Sequence, residues 1–93
     1  MNADNISKHI GQVCQQYRIK NNLTQNQVAE LTGLEPRHIS QIERGLSKGS
    51  IDTLIKLCNA YSITPDIILY DLLDNDVKKS VSIYATLFWK FFI

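Results

Sequence analysis

The stretch LTQNQVAELTGLEPRHISQIERG, from Leu23 to Gly45, decides how this chain folds. Thr24 can accept from the backbone N–H of Gln27 while the Gln27 side chain reaches back, the reciprocal cap that starts a helix. Val28, Leu31 and the small Ala29 form the expected inner face of that helix. Gly33 breaks it. Leu34-Glu35-Pro36 then opens a second helix with proline in the first turn, where a missing N–H costs nothing. Ile39 and Ile42 are the only strong apolar residues that follow, so the rest of that helix faces water or a ligand, and Gly45 ends it. A tight helix-turn-helix needs a small residue where the helices cross, a turn residue that tolerates positive φ, and apolar anchors on both sides. Ala29, Gly33, Val28, Leu34, Ile39 and Ile42 fill those places, although a ligand-free αα-hairpin needs the same spacing.

Working outward, Ile6, Ile10, Val13, Cys14 and Tyr17 make one helical stripe that stops at Asn21-Asn22. Ser50 caps a fourth helix with Ile51, Leu54, Ile55, Cys58 and Tyr61 inward, and Thr64-Pro65 caps a fifth with Ile68, Leu69, Leu72 and Leu73 inward. The expectation is an all-α, five-helix domain over residues 1–74. A C-terminal segment, 75–93, begins at the hinge Asp74-Asn75-Asp76. Its Val77, Val81, Tyr84, Phe88 and Phe91 are spaced 4, 3, 4 and 3 apart, a heptad seam flanked by Leu87 and Phe92. The same segment alternates apolar residues and is rich in β-formers, so a strand stays open although the heptad spacing favours a helix. It is too apolar to leave in water, and a body of 93 residues is too small to bury it alone. Dimerisation through Val77, Val81, Tyr84, Leu87, Phe88, Phe91 and Phe92 is expected. Attachment to a membrane surface through Trp89, Phe91 and Phe92 beside Lys78, Lys79 and Lys90 is the weaker alternative.

The net charge of +1 hides an asymmetry. Residues 8–49 set Lys8, Arg18, Lys20, Arg37, Arg44 and Lys48 against Glu30, Glu35 and Glu43, a balance of +3, whereas residues 50–76 set Lys56 against five aspartates, a balance of −4. A basic front and an acidic back suit a polyanion on one side, as would a random scatter of solvated charge. Cys14 and Cys58, 44 positions apart, fall on apolar helix positions and read as small buried hydrophobes rather than a disulfide. There is no signal-peptide pattern and no apolar run near the roughly 20 residues a membrane span takes, so a cytoplasmic protein is expected. No metal-spaced His/Cys set, nucleophile elbow or phosphate loop is present, so neither an enzyme nor a metal or other cofactor is expected.

Function is carried by the outer face of the third helix. Arg37, Gln41 and Arg44 are spaced four and three and stack on one side, with Pro36 and Ser40 beside them. Arginine can donate twice to guanine O6 and N7, and glutamine pairs in bidentate fashion with adenine N6 and N7. A helix offering these groups toward its N-terminal end suits a major groove, although a merely solvated polar face has the same composition. Gln25 stands at the start of the second helix, where backbone N–H groups favour a phosphate.

The residues Leu23 to Leu31, Gly33-Leu34, Ile39 to Gly45, Ser50 to Leu57 and Ile63 to Asp66 together resemble the phage-repressor-like, Xre-type helix-turn-helix family over about residues 8–73. The resemblance implies a five-helix domain that binds operator DNA as a two-fold dimer on a palindromic site. It implies that Gln25 contacts a phosphate and buttresses the reading helix, that Pro36, Arg37 and Gln41 read base edges, and that Arg44, Ser47 and Lys48 lie near the backbone. Arg18 and Glu43 match a pair that ties the first helix to the end of the third. Each would supply the other's counter-charge, so a structural role is expected. Glu35 departs from the family, standing where a short capping residue is common; it would repel a phosphate but could accept from cytosine N4. Pro36 can offer only an apolar contact, which leaves recognition to Arg37 and Gln41 with Ser40 or His38 assisting. His9 reads as a surface residue. A different class, an antitoxin or adaptor with a protein partner on the acidic and apolar surfaces, is the alternative to a transcriptional regulator.

Overall fold

The computed structural model describes residues 3–79. They form α1 (Ala3–Lys20), α2 (Gln25–Thr32), α3 (Pro36–Glu43), α4 (Ile51–Tyr61) and α5 (Pro65–Leu69), followed by a 3₁₀ turn at Tyr70–Leu72. Residues 75–79 are helical again, and no strand occurs among the described residues. The fold is all-α, as the apolar periods predict.

Local chemistry sets the helix ends. The Thr24 hydroxyl accepts from Gln27 N at 3.1 Å and the Gln27 side chain accepts from Thr24 N at 2.8 Å, so the reciprocal cap is formed. Ser50 accepts from Thr53 N at 3.2 Å. Thr64, expected to cap α5, makes no side-chain cap bond, leaving Pro65 to set that start by its fixed φ. Three helices close alike: Leu23 N donates to Arg18 O, Leu46 N to Gln41 O and Ile63 N to Cys58 O. In each, the preceding residue (Asn22, Gly45 or Ser62) is left-handed and its N–H reaches back three positions. Gly33, φ +76°, ends α2 with a single bond to Ala29 O.

The core is one cluster: Ile10 and Cys14 from α1, Val28 from α2, Ile39 and Ile42 from α3, Leu57, Cys58 and Tyr61 from α4, and Ile68 from α5. Several positions expected inward are outside it. Ile51 is 77% and Ile55 46% exposed, because α4 is turned to bury Thr53, Leu57, Cys58 and Tyr61 against its neighbours. Thr53 can be buried there since its hydroxyl accepts from Ser50 Oγ at 3.1 Å. Leu31, 64% exposed, lies beyond the face that α2 turns inward through Val28 and Ala29. Leu69 and Leu73 are exposed because α5 gives way to a 3₁₀ turn and the 3.6-residue period stops applying. His9 is half-buried, not a surface residue; its Nε2 donates to Ile68 O at 3.1 Å and joins α1 to α5. Cys14 and Cys58 are both free and buried. Burial, with Cys58 nearby, pushes the Cys14 thiol up to about 12, so it behaves as an inert apolar group.

Gly11, which belongs to no apolar stripe, fixes how α1 meets α3. A Cβ there would run into the Ile42 carbonyl oxygen and sit 2.8 Å from Glu43 O. Helix propensity alone favours alanine by about 1 kcal/mol. The close approach reverses the sign: Gly11→Ala is expected to lower stability by about 1–3 kcal/mol, visible as a fall in Tm. A raised Tm would mean that α1 moves off α3 at no cost.

Tyr61 is the largest fully buried side chain, and its hydroxyl has no hydrogen-bond partner among the described residues. Burial pushes its ionisation well up, so the phenol stays neutral. An unsatisfied buried hydroxyl costs about 1–3 kcal/mol, and phenylalanine has the same shape without it. Tyr61→Phe is therefore expected to raise the urea midpoint. A lower midpoint would mean that an ordered water satisfies the hydroxyl.

Candidate nucleic-acid interface

Two buried isoleucines, Ile39 and Ile42, hold α3 to the core, and they leave its opposite face outward. Pro36, Arg37 and Arg44 are exposed, while His38, Ser40 and Gln41 are half-buried on the flanks. Glu35, exposed at the N-cap, makes no side-chain cap bond, so its carboxylate is not consumed in starting the helix. Gly33, Leu34, Glu35, Arg37, His38 and Gln41 line one open depression beside the turn. The residues singled out for base contact thus meet on one outward face. Arg44 folds back along the helix, its Nε 3.4 Å from Ser40 O. In the loop beyond, Ser47 Oγ accepts from Gly49 N at 3.1 Å and shapes the turn, leaving Lys48 exposed.

Behind this face a polar clasp joins three elements. Arg18 donates from Nε to Glu43 Oε2 at 2.8 Å and from Nη2 to Glu43 Oε1 at 3.0 Å, a bidentate pair. Its Nη1 donates to Leu23 O at 2.9 Å. The two side chains are only 14% and 3% exposed, and the hydrogen bonds to Glu43 push the guanidinium's ionisation further up. Gln25 Nε2 donates to Glu43 Oε1 at 3.2 Å. The end of α1, the start of α2 and the end of α3 are therefore fixed together, with half-buried Gln25 joining from α2. The Leu23 carbonyl is a partner without a residue signature, since any residue offers the same backbone acceptor. Val77 is exposed in the helical residues 75–79; Val81, Tyr84, Leu87, Phe88, Phe91 and Phe92 lie outside the described residues.

Among the described residues no helix is long and apolar enough to cross a membrane, and no group of three His, Cys, Asp or Glu could hold a metal. The family model described as helix-turn-helix matches residues 15–68, more than half of the chain. The chain belongs to the phage-repressor-like, Xre-type helix-turn-helix family.

Solved helix-turn-helix structures share the fold. An HTH_3 family transcriptional regulator from Vibrio cholerae superposes with a TM-score of 0.69 at 24% identity, over 75% of this chain and 39% of its own. This chain therefore spans about two fifths of that protein. The clp gene regulator ClgR from Corynebacterium glutamicum superposes at 0.64 with 23% identity, over 69% of this chain and 83% of its own. A second structure of that regulator gives 0.66 at 19% identity, over 91% and 83%. No curated protein matches the sequence.

Proposed function

We propose that this chain is a sequence-specific double-stranded DNA-binding transcriptional regulator, a repressor that binds a palindromic operator as a two-fold homodimer. Residues 1–74 bind DNA and residues 75–93 make the dimer, in the cytoplasm and without a cofactor. The observation that carries the reading is the outward face of α3: exposed Arg37 with half-buried Gln41 and Ser40, on a helix whose opposite side is anchored by buried Ile39 and Ile42. The spacing of four sets the Arg37 and Gln41 side chains one turn apart, so both can donate in bidentate fashion to base edges in one groove. Arg37 and Gln41 read bases; Glu35, Pro36, His38 and Ser40 shape the edge of the contact; Gln25, Arg44, Ser47 and Lys48 meet the phosphates. Arg18 and Glu43 hold the clasp and do not touch DNA.

Selection of bound duplexes from a random pool tests this directly. The expected product is an inverted repeat with half-site centres about 10 base pairs apart, since two reading helices related by a dyad enter successive major grooves on one side. A pool that never departs from random sequence would refute specific recognition. A single enriched half-site would retain DNA reading and refute the dimer.

A further inference from the structure

Of the three glutamates in the basic front, Glu35 is the one that lines the open depression on α3, together with Arg37, His38 and Gln41. Glu43 is taken up by Arg18 and Gln25 in the clasp, and Glu30 lies on α2. The Glu35 backbone is fixed, because its carbonyl accepts from His38 N at 3.0 Å and from Ile39 N at 3.2 Å, and Ile39 is buried. Its carboxylate is free. Thr24 and Ser50 start α2 and α4 with side-chain cap bonds, whereas exposed Glu35 makes none. The ion pairs among the described residues join Arg18 to Glu43 and Lys78 to Asp71, so Arg37, two positions away, does not neutralise it.

A free carboxylate on a face that meets DNA costs affinity unless a donor reaches it, because the phosphates repel it. The base edges differ sharply in what they offer a carboxylate. In the major groove guanine presents O6 and N7, thymine presents O4, and adenine carries N7 beside its amino group. Cytosine presents the N4 amino donor with no acceptor of its own beside it. A carboxylate fixed at the start of the reading helix therefore discriminates for cytosine by attraction and against the other bases by repulsion.

We propose that Glu35 is a specificity-determining residue that reads cytosine. One carboxylate oxygen accepts from the exocyclic N4 amino group of a fixed C·G pair in each half-site, and the same charge weakens binding to sequences that bring no amino group there. The proposal rests on the DNA-reading face of α3 assigned above and gives that face a third base-reading side chain.

Selection from a random duplex pool, run in parallel with the wild-type chain and Glu35→Ala, tests this. A position fixed as cytosine is expected in the wild-type motif and is expected to become degenerate in the variant's. Affinity of Glu35→Ala for a scrambled duplex should rise at least about twofold, since a charge repelled by the phosphates is gone. N4-methylcytosine at the fixed position removes the N–H that faces the groove and keeps the base pair. It should weaken the wild-type chain at least about 10-fold and Glu35→Ala less than about twofold.

Glu35→Asp separates base reading from a merely structural charge. Aspartate keeps the negative charge that a helix start favours and caps better, but it is one methylene shorter and turns to the N–H groups of the first turn. Its Tm should hold or rise while the cytosine preference is lost. Full restoration by Glu35→Asp, cytosine preference included, would make the charge at the helix start the cause and overturn the contact. A wild-type motif with no fixed cytosine, or one whose cytosine survives Glu35→Ala or tolerates N4-methylation, would overturn cytosine reading and leave recognition by Arg37 and Gln41 standing. A pool from which the wild-type chain enriches nothing would refute DNA reading itself, and this contact with it.

Discussion

Arg18→Ala is expected to remove about 3–5 kcal/mol of folding stability, a large part of the roughly 5–15 kcal/mol available to a domain of this size. The reason is the partner left behind. Glu43, 3% exposed, would keep its single bond from Gln25 but lose both bonds from the guanidinium. A carboxylate desolvated to that degree must recruit water, accept a proton or open the structure. Glu43→Ala should cost a similar amount by stranding the guanidinium, which would retain only the Leu23 carbonyl. Urea denaturation of the two single variants and of the double variant closes a cycle, and its coupling energy is expected to exceed about 1.5 kcal/mol. The control is Arg18→Met/Glu43→Leu, which removes both charges while keeping volume and should recover most of the loss. A loss below about 1 kcal/mol for either single variant would class the pair with exposed surface bridges and deny it the clasp role.

The clasp also shows which parts of this molecule can be read without coordinates. Arg18 and Glu43 stand 25 positions apart, and no local pattern joins them; only the family resemblance sets them side by side. The helices are more directly legible, because Thr24 with Gln27, Pro36, Gly33 and Gly45 are local signals acting on neighbouring backbone. Orientation about a helix axis is not local. In α4 the exposed apolar stripe through Ile51 and Ile55 is as regular as the buried one through Thr53, Leu57 and Tyr61. Which stripe goes inward depends on where α1, α2 and α5 stand, and Thr53 goes in because Ser50 satisfies its hydroxyl. The half-burial of His9 is non-local in the same way, its acceptor being a backbone carbonyl 59 positions away. Gly11 left a fainter trace: a lone glycine inside a strong helix costs about 1 kcal/mol and calls for a close approach to explain it. The face of α3 is the converse case. Eight residues with two apolar anchors leave one arrangement that buries both, and the outward position of Arg37 follows.

Arg37→Ala and Lys48→Ala should weaken binding to a selected operator in different ways, and the difference identifies base reading. A bidentate arginine contributes about 1–3 kcal/mol of discrimination at its base pair, and a two-fold dimer makes that contact twice. Arg37→Ala is therefore expected to lower operator affinity by at least about 30-fold, with a much smaller change on a scrambled duplex. Repeating the selection with this variant should leave one position per half-site unspecified and the rest of the motif intact. Lys48, exposed in the loop after α3, carries a charge with no base-directed geometry. Its removal should weaken operator and scrambled duplex alike and reduce the salt slope by about one ion per protomer. Gln41 provides an internal check because it lines the same depression as Arg37 but is half-buried. Gln41→Ala should flatten a second position, adjacent to the first along the groove, since one helical turn separates the two side chains. Equal losses on both duplexes for Arg37→Ala would make it a phosphate contact like Lys48, and the outward face of α3 would then supply affinity without sequence.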